Sequence, residues 1–534
     1  MTDRTVINRR TMLQIGGAAA AAGLLGPKAF AQTGRQGGTI THALASFPTN
    51  LASFLSTGTP QNTVCPKIFE GLLAYDYDIK PMPALATSWE ASPDGLTYTF
   101  KLRPGVKWHD DKDFSSADVA FSIMTLKEVH PRGRNTFSSV TAVETPDATT
   151  AVIKLSSPKP YLLAALAGSE TPIIPKHLYE GTNLRENPHN NKPVGTGPFK
   201  FNSWEVGSYV ILDKNPDYWD KPKPYVDRIV FRAFTDIGSR VVGLQSGEVD
   251  IASSEVVPIA DLARLEAMDH LVLNDKAFDY VPTINNLHFN LMRKEFADKR
   301  VRQAIAYMMD RQFIAKALWY GRAIPNYGPI SPLSRQWYAT DLPTYPVNQA
   351  KAEALLDEAG FRKNASGKRF SVSLDFYPDE PAYRTESDYV KQQLSKVGIE
   401  VTIRAQDVSA YTKRIFMDHD FDFTMDGYST QFDPAVGVQR YFFSPLYNQG
   451  IPFVNPMGYK NPEVDKLLED ASVEVDEKKR HQLYYKFQHI IADELPVLPL
   501  VTPIKFAVHN KRLKDALPTS NGVFGTLADA KIIT

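Results

Sequence analysis

Two textures of apolar and polar positions divide the chain. From Trp89 to Leu155 the alternation is single-step. In SPDGLTYTFKL the Asp94-Gly95 turn precedes Leu96, Tyr98, Phe100 and Leu102, which alternate with Thr and Lys. Period two after an Asp-Gly step predicts a half-buried strand leaving a hairpin. A second strand, Ala151-Ile153-Leu155, follows the turn at Pro146-Asp147, and between the two Ser116 is placed to cap a helix through ADVAFSIMTLKEV. After about residue 285 strands and helices take turns. NNLHFNL reads as a strand, and Asp298 then caps a helix whose apolar face is Val301, Ile305, Met308 and Met309. QAKAEALLDEAG is a helix ending at Gly360, a left-handed C-cap position. Strands FSVSLDF and IEVTIRA flank the helix ESDYVKQQLSKVG. A last long helix, DEKKRHQLYYKFQHIIADEL, stops before Pro496, and its charged start, DEKKRH, reads as a solvated first turn. This alternation predicts an α/β domain with a largely parallel sheet. In such sheets ligands gather outside the carboxyl ends of the strands. FDFTM is a strand on this reading, so the loop starting at Gly427 lies where a ligand would.

Length changes the picture from one domain to several, since 534 residues exceed what one hydrophobic core usually serves. Lys plus Arg and Asp plus Glu are both 60, which removes any electrostatic reason to expect nucleic acid. The segment NRRTMLQIGGAAAAAGLLGPKAFAQ has a basic head, an apolar run from Ile15 to Leu25, and Ala29-Phe30-Ala31 before Gln32. That is the pattern of an export signal over residues 1–31, and its apolar run falls short of the roughly 20 residues that span a bilayer. Arg9-Arg10 followed by Leu13 resembles a twin-arginine signal. Cys65 is the only cysteine, so no intramolecular disulfide is available. We expect it to be buried and inert. No cysteine follows the cleavage site to carry a lipid. The expectation is an exported, soluble, periplasmic protein that is not lipid-anchored.

Motifs of catalysis are missing. There is no His-Glu-x-x-His helix, no Gly-x-Ser-x-Gly elbow and no Walker loop. GFRKNASGK has the wrong glycine spacing for a phosphate cradle, and the Ser-x-x-Lys of Ser156 to Lys159 lacks its partner motifs. The 11 histidines are scattered without ligand spacing, so neither a metal cage nor a cofactor is expected. His109 and His288 are expected to make structural hydrogen bonds. The chain is not expected to be an enzyme, and no catalytic residue is assigned.

PALATSWEASPDGLTYTFKLRPGVKWHDDKDFSSADVAFS (Pro83 to Ser122) resembles the signature segment of the extracellular solute-binding proteins of family 5, the dipeptide-, oligopeptide- and nickel-binding proteins of ABC importers. PVGTGPF (Pro193 to Phe199), NPDYW (Asn215 to Trp219), LQSGEVDI (Leu244 to Ile251), FADKRVRQAIAYMMDR (Phe296 to Arg311) and ELPVLPL (Glu494 to Leu500) match in the same order. The resemblance implies the type II periplasmic binding protein fold: two α/β lobes joined by a hinge, with a domain inserted in the first. Carried over, the first lobe comprises 32–73, 197–284 and 505–534, the inserted domain 74–196 and the second lobe 285–504. The chain then crosses between lobes near Thr283–Asn286 and Pro503–Lys505. The implied function is capture of a peptide or peptide-like polar solute by a monomer, which closes on it and docks on an ABC permease driven by an ATPase. The alternatives are a nickel–chelator complex, another non-peptide solute (sugar-like or opine-like), and, remotely, peptide hydrolysis.

In peptide-binding relatives the loop after Gly427 carries an Asp that pairs with the peptide amino terminus. Here Gln431 stands in its place, so the expectation is a solute whose binding does not depend on a free α-amine and that carries an anionic or polar group near Arg440, unless another acid such as Asp426 or Asp433 compensates. Asp433 matches the family's Asp-Pro step, which shapes the turn. Tyr428 and Phe432 would supply flat contact area. Arg440 either clamps a carboxylate or phosphate or stacks on Tyr441 or Phe442. The second wall implied by the resemblance is the loop TPQNTVCP, with Gln61, Asn62 and Thr63 towards ligand backbone.

Overall fold

Strand Thr39–Leu44 is buried over its last three residues and takes a parallel partner on each edge, Arg228–Ala233 and Ile251–Ser253. Antiparallel additions extend this to a seven-stranded sheet in the order 271–274, 507–510, 251–253, 39–44, 228–233, 209–214, 199–205. A second sheet of six strands runs 323–325, 497–503, 283–289, 423–429, 370–376, 399–404. These belong to a computed structural model that describes residues 37–533 apart from 235, 277, 379 and 448–450. The export-signal reading of residues 1–31 therefore lies outside the described residues. Among the described residues no helix is long and apolar enough to cross a membrane.

The six-stranded sheet is less parallel than its alternating sequence predicts. Strand 370–376 is parallel to both neighbours, but the other three pairings are antiparallel. The cause is the route of the chain between sheets. It leaves the first sheet after Asn274 and enters the second at Thr283, which pairs with Ser429 at the end of strand 423–429. It returns from Pro503 to Ala507, which pairs with Ser253 at the end of strand 251–253. A strand that enters at the edge where its neighbours end must run against them. Both crossings, 275–282 and 504–506, thus join the carboxyl-end edges of the two sheets.

The predicted hairpin forms between 86–91 and 97–102, and 150–155 and 140–147 complete a four-stranded antiparallel sheet. Helix Ser116–Val129 covers it with Val119, Ile123 and Leu126 buried. Its cap lies one residue earlier than expected. Asp118 accepts the Ser115 N–H at 2.9 Å, whereas the Ser116 hydroxyl is turned away to donate to the Asp147 carbonyl. Asp298 does cap the helix Lys299–Ala306, accepting from Arg300 N at 2.9 Å. Gly360 takes the left-handed conformation, φ 89°, just past helix Gln349–Glu358. One apolar cluster runs from Ile40 and Phe231 into Phe100 and Ile153 of the antiparallel sheet. The six-stranded sheet is covered on both faces, by clusters around Leu287, Phe423 and Leu498 and around Ile284, Tyr428 and Val497.

Candidate functional site

The edge that both crossings share gathers the ends of strands 423–429, 370–376 and 251–253. Strand 423–429 extends further than its apolar run implies. Gly427, Tyr428 and Ser429 are still in the ladder, opposite Asn285, Ile284 and Thr283, and the loop begins at Thr430. Its first step is tied to the crossing segment by the Thr430 N–H on the Pro282 carbonyl at 2.9 Å.

Of the residues expected to face a ligand, three are committed to the fold. Tyr428 is 2% exposed, stacks on Tyr441 at 4.4 Å, and donates its hydroxyl to the Pro329 carbonyl at 2.8 Å. A strand residue on the covered face of a sheet has no route to the cleft. Phe432 stacks on Tyr280 at 5.2 Å and joins the apolar cluster of the first sheet together with Ala435 and Val436. The loop leaving the second sheet is in this way plugged into the apolar cluster of the first. Asp433 accepts from Ala435 N at 2.9 Å and receives both terminal nitrogens of Arg480 at 2.7 Å each. Its carboxylate is taken up by a buried bidentate ion pair. Arg480 lies inside the DEKKRH run, so that turn is not wholly solvated: Arg480 is 3% exposed.

Gln431 is different. It holds a left-handed backbone, φ 53°, a conformation that costs a residue with a Cβ about 1 kcal/mol or more. Its N–H bonds the Ser429 hydroxyl at 3.0 Å, while its buried side-chain Oε1 accepts from no group among the described residues. Buried acceptors are normally satisfied, so this oxygen is available to a donor from outside the chain. Arg440 sits with its guanidinium 5.0 Å above the Tyr441 ring, the stacked alternative, and its buried Nε has no acceptor among the described residues. Beneath it Asp426 accepts from Gly427 N at 2.7 Å and from the Tyr411 hydroxyl at 3.2 Å. Burial pushes its pKa up to about 7, against the pull of Gly427 N–H, Tyr411 and Arg440.

The opposite wall is a helix, Thr59–Val64, rather than a loop, because Pro60 at the first turn and the capless Gly58 start one. Gln61 Nε2 donates to Thr49 Oγ1 at 3.1 Å and Thr63 Oγ1 to the Thr59 carbonyl at 2.9 Å, so both are bonded internally. Asn62 donates its amide to the Thr57 carbonyl at 3.4 Å and leaves Oδ1 buried, with no partner among the described residues. Cys65 follows, fully buried, with burial pushing its thiol up to about 12. Thr59 Oγ1 bonds Glu255 Oε1 at 3.2 Å, and Glu255 pairs with Lys505 Nζ at 3.8 Å.

The sequence singles out Asp426 as an acid able to compensate for Gln431, but Glu255, Glu380 and Lys505 were missed. The carboxyl-end rule applied to FDFTM applies equally to FSVSLDF, and Glu380 lies four residues past its end. His109 and His288 make contacts within the fold, His109 between Gly195 and Gly197 and His288 with Met457. Among the described residues no three His, Cys, Asp or Glu side chains are grouped to hold a metal ion. A cavity of about 220 Å³ lies elsewhere, around Glu70, Tyr218, Trp219 and Lys223, and none of the expected ligand residues lines it.

The sequence profile of the bacterial extracellular solute-binding proteins, family 5 Middle, matches residues 80–450. The chain is 30% identical over 485 residues to the oligopeptide-binding protein AppA of Bacillus subtilis (strain 168), covering 88% of this chain and 87% of that protein. It is 28% identical over 481 residues to the glutathione-binding protein GsiB of Escherichia coli O157:H7, covering 89% and 91%. The structure of AppA from Bacillus subtilis in complex with a nonapeptide aligns with TM-score 0.79 at 27% identity, over 94% of this chain and 100% of that one. The PBP AgaA from A. tumefaciens R10, in complex with agropinic acid, aligns with TM-score 0.76 at 28% identity, over 93% and 99%.

Proposed function

Because the chain belongs to the bacterial extracellular solute-binding proteins of family 5, we propose that it captures a peptide or peptide-like polar solute between its two lobes and hands it to an ABC permease. The observation that carries this reading is the shared edge. Two crossings, the loop from Thr430 and the helix from Thr59 converge there, and they bring buried, unpartnered polar atoms of Asn62, Gln431 and Arg440 with them. The oligopeptide- and glutathione-binding relatives supply the ligand class. We assign the chain no reaction.

The division into a first lobe (32–73, 197–284, 505–534), an inserted domain (74–196) and a second lobe (285–504) belongs to this proposal. So do the monomeric state, the twin-arginine signal over residues 1–31 and the periplasmic destination. Asn62, Gln431 and Arg440 remain the ligand-facing candidates among the residues singled out in the sequence, because each keeps a buried polar atom without a partner among the described residues. A second reading, an opine-like solute in the same site, is favoured by the AgaA complex with agropinic acid.

Mass spectrometry of the solute released on denaturing protein purified from its native host tests the ligand class. A peptide or peptide conjugate is expected, an opine would select the second reading, and a nickel chelate or catalytic turnover would overturn both. Export is tested by replacing Arg9 and Arg10 with Lys, which should leave an unprocessed precursor in the cytoplasm.

A further inference from the structure

The acid that is absent at position 431 has counterparts elsewhere on the same edge. Glu255 lies two residues past strand Ile251–Ser253, at the carboxyl end of the first sheet. Glu380 lies four residues past strand Phe370–Phe376, at the carboxyl end of the second. Lys505 lies between them in the crossing 504–506. The lysine pairs with Glu255 at 3.8 Å, and both side chains are about a third exposed, 29% and 32%. Glu380 is half-buried and forms no ion pair among the described residues. Among the described residues its carboxylate accepts only from Ala382 N, at 3.3 Å, at the start of helix Pro381–Ser395. Burial holds its pKa above the ordinary value. Ala382 N–H and Lys505 oppose that, and Glu255 adds to it. Lys505 is thus taken up by Glu255, and Glu380 is left without an ion pair of its own among the described residues.

A second observation comes from helix Thr59–Val64. Thr59 bonds Glu255, and Asn62, one turn on, lies on the same helical face. The donation from Asn62 Nδ2 to the Thr57 carbonyl fixes the amide orientation, so the unpartnered atom, in a residue 8% exposed, is the acceptor Oδ1. The groups left without a partner around Glu255, Glu380 and Asn62 are thus acceptors, whereas the unpartnered donor of the shared edge, Arg440 Nε, belongs to the loop from Thr430. A group with several N–H donors and a positive charge fits those acceptors; an anion does not.

We propose that Glu255 and Glu380, with Asn62, form a subsite that binds an alkylammonium or guanidinium group of the solute and so sets its specificity. This rests on the reading of the shared edge as the solute site. The cation bridges the two lobes, so it is held only when they are closed. Its source is either a basic side chain or the amino terminus of a peptide.

The test is a competition among defined probes. The wild-type protein, freed of bound solute by unfolding and refolding, is given an equimolar pool of tripeptides. Each sequence is present with Lys or norleucine at one position, and with a free or an acetylated amino terminus. Charge-assisted hydrogen bonds of 1.5–3 kcal/mol correspond to roughly tenfold preference or more. Retention of Lys over norleucine forms by that factor identifies a side-chain source, and retention of free over acetylated forms identifies the amino terminus. In either case Glu380→Gln and Glu255→Gln should cut the preference to about threefold or less. Glu380→Gln keeps an acceptor for Ala382 N, and equal retention of norleucine forms by variant and wild type shows that the fold is intact. Peptides retained without any cation preference, or with one the variants leave unchanged, would overturn the subsite while leaving peptide capture in place. Retention of no probe would overturn both.

Discussion

Exchanging Asp433 for Asn isolates the buried charge pair that anchors the loop. The side chains of Asp433 and Arg480 are 5% and 4% exposed, and two hydrogen bonds of 2.7 Å join them. Burial by itself would lower the Arg480 pKa, but the charge of Asp433 and its contacts with Tyr484 and Asp433 outweigh burial and raise it. The amide introduced by Asp433→Asn would keep an oxygen for Ala435 N, so the turn stays capped and what is lost is the charge. Arg480 would retain the Ala471 carbonyl at 2.8 Å, the Tyr484 hydroxyl at 3.3 Å and the face of Trp337 at 4.8 Å. Breaking one side of a buried pair costs about 3–5 kcal/mol. With those residual contacts Asp433→Asn should sit near the lower end, about 3 kcal/mol. Arg480→Met should cost a similar amount, and the double variant should cost less than the sum by about 2 kcal/mol. Urea unfolding followed by tryptophan fluorescence measures the cycle, and amide exchange of residues 430–437 should rise in each single variant. Single losses below about 1 kcal/mol with an additive double variant would refute the claim that this pair holds the loop.

Glu386 is fully buried, takes donations from Asn285 Nδ2 and Trp319 Nε1, and has its pKa raised by burial from 4.5 to about 7. The folded state then holds the extra proton between those values, so this group's contribution is complete below pH 4.5 and is lost as pH rises through 7. Buried histidines 42, 109, 130 and 288 act in the opposite sense, so the observable is wild type minus Glu386→Gln, which should fall by about 3 kcal/mol from pH 4.5 to 8 in urea unfolding. Gly437→Ala would set a Cβ against the Thr430 and Ser429 carbonyls, backbone that cannot swing aside, and should destabilise by about 1–3 kcal/mol and weaken solute binding, read by thermal melts and calorimetry. Solute binding should reduce the radius of gyration in small-angle scattering and stabilise the fold by about 2.7 kcal/mol at a hundredfold excess over Kd.

Periodicity made the elements legible, and family motifs made the two-lobe architecture legible, because both are local patterns. The strand directions of the second sheet were not. Alternating strands and helices imply parallel neighbours only while the chain stays in one sheet, and here it enters at Thr283 and leaves at Pro503 along one edge. Charge runs misled for a related reason. DEKKRH looks solvated as a string, yet four residues past the cap Asp476 a helix has turned far enough to carry Arg480 inward to Asp433, 47 positions away. No window of sequence contains both partners.

The same separation hides most of the candidate site, though not by the same amount for each residue. Gln431 could be singled out because an expected acid was missing from a short motif. Glu380 could have been singled out because it follows a strand that periodicity identifies. Glu255 and Lys505 are separated by 250 positions and meet only because Ser253 pairs with Ala507 across the returning strand. The pairing of those two strand ends is what turns two unremarkable surface-type charges into one junction. A solute that bridges Glu255 and Glu380 therefore reports on the crossing geometry itself. If the two carboxylates act together, their Gln substitutions should be non-additive in cation preference, each alone removing most of it, because one ammonium has to be shared by both. Additive losses would mean that the two acids bind separate groups and that the lobes are not bridged by a single charge.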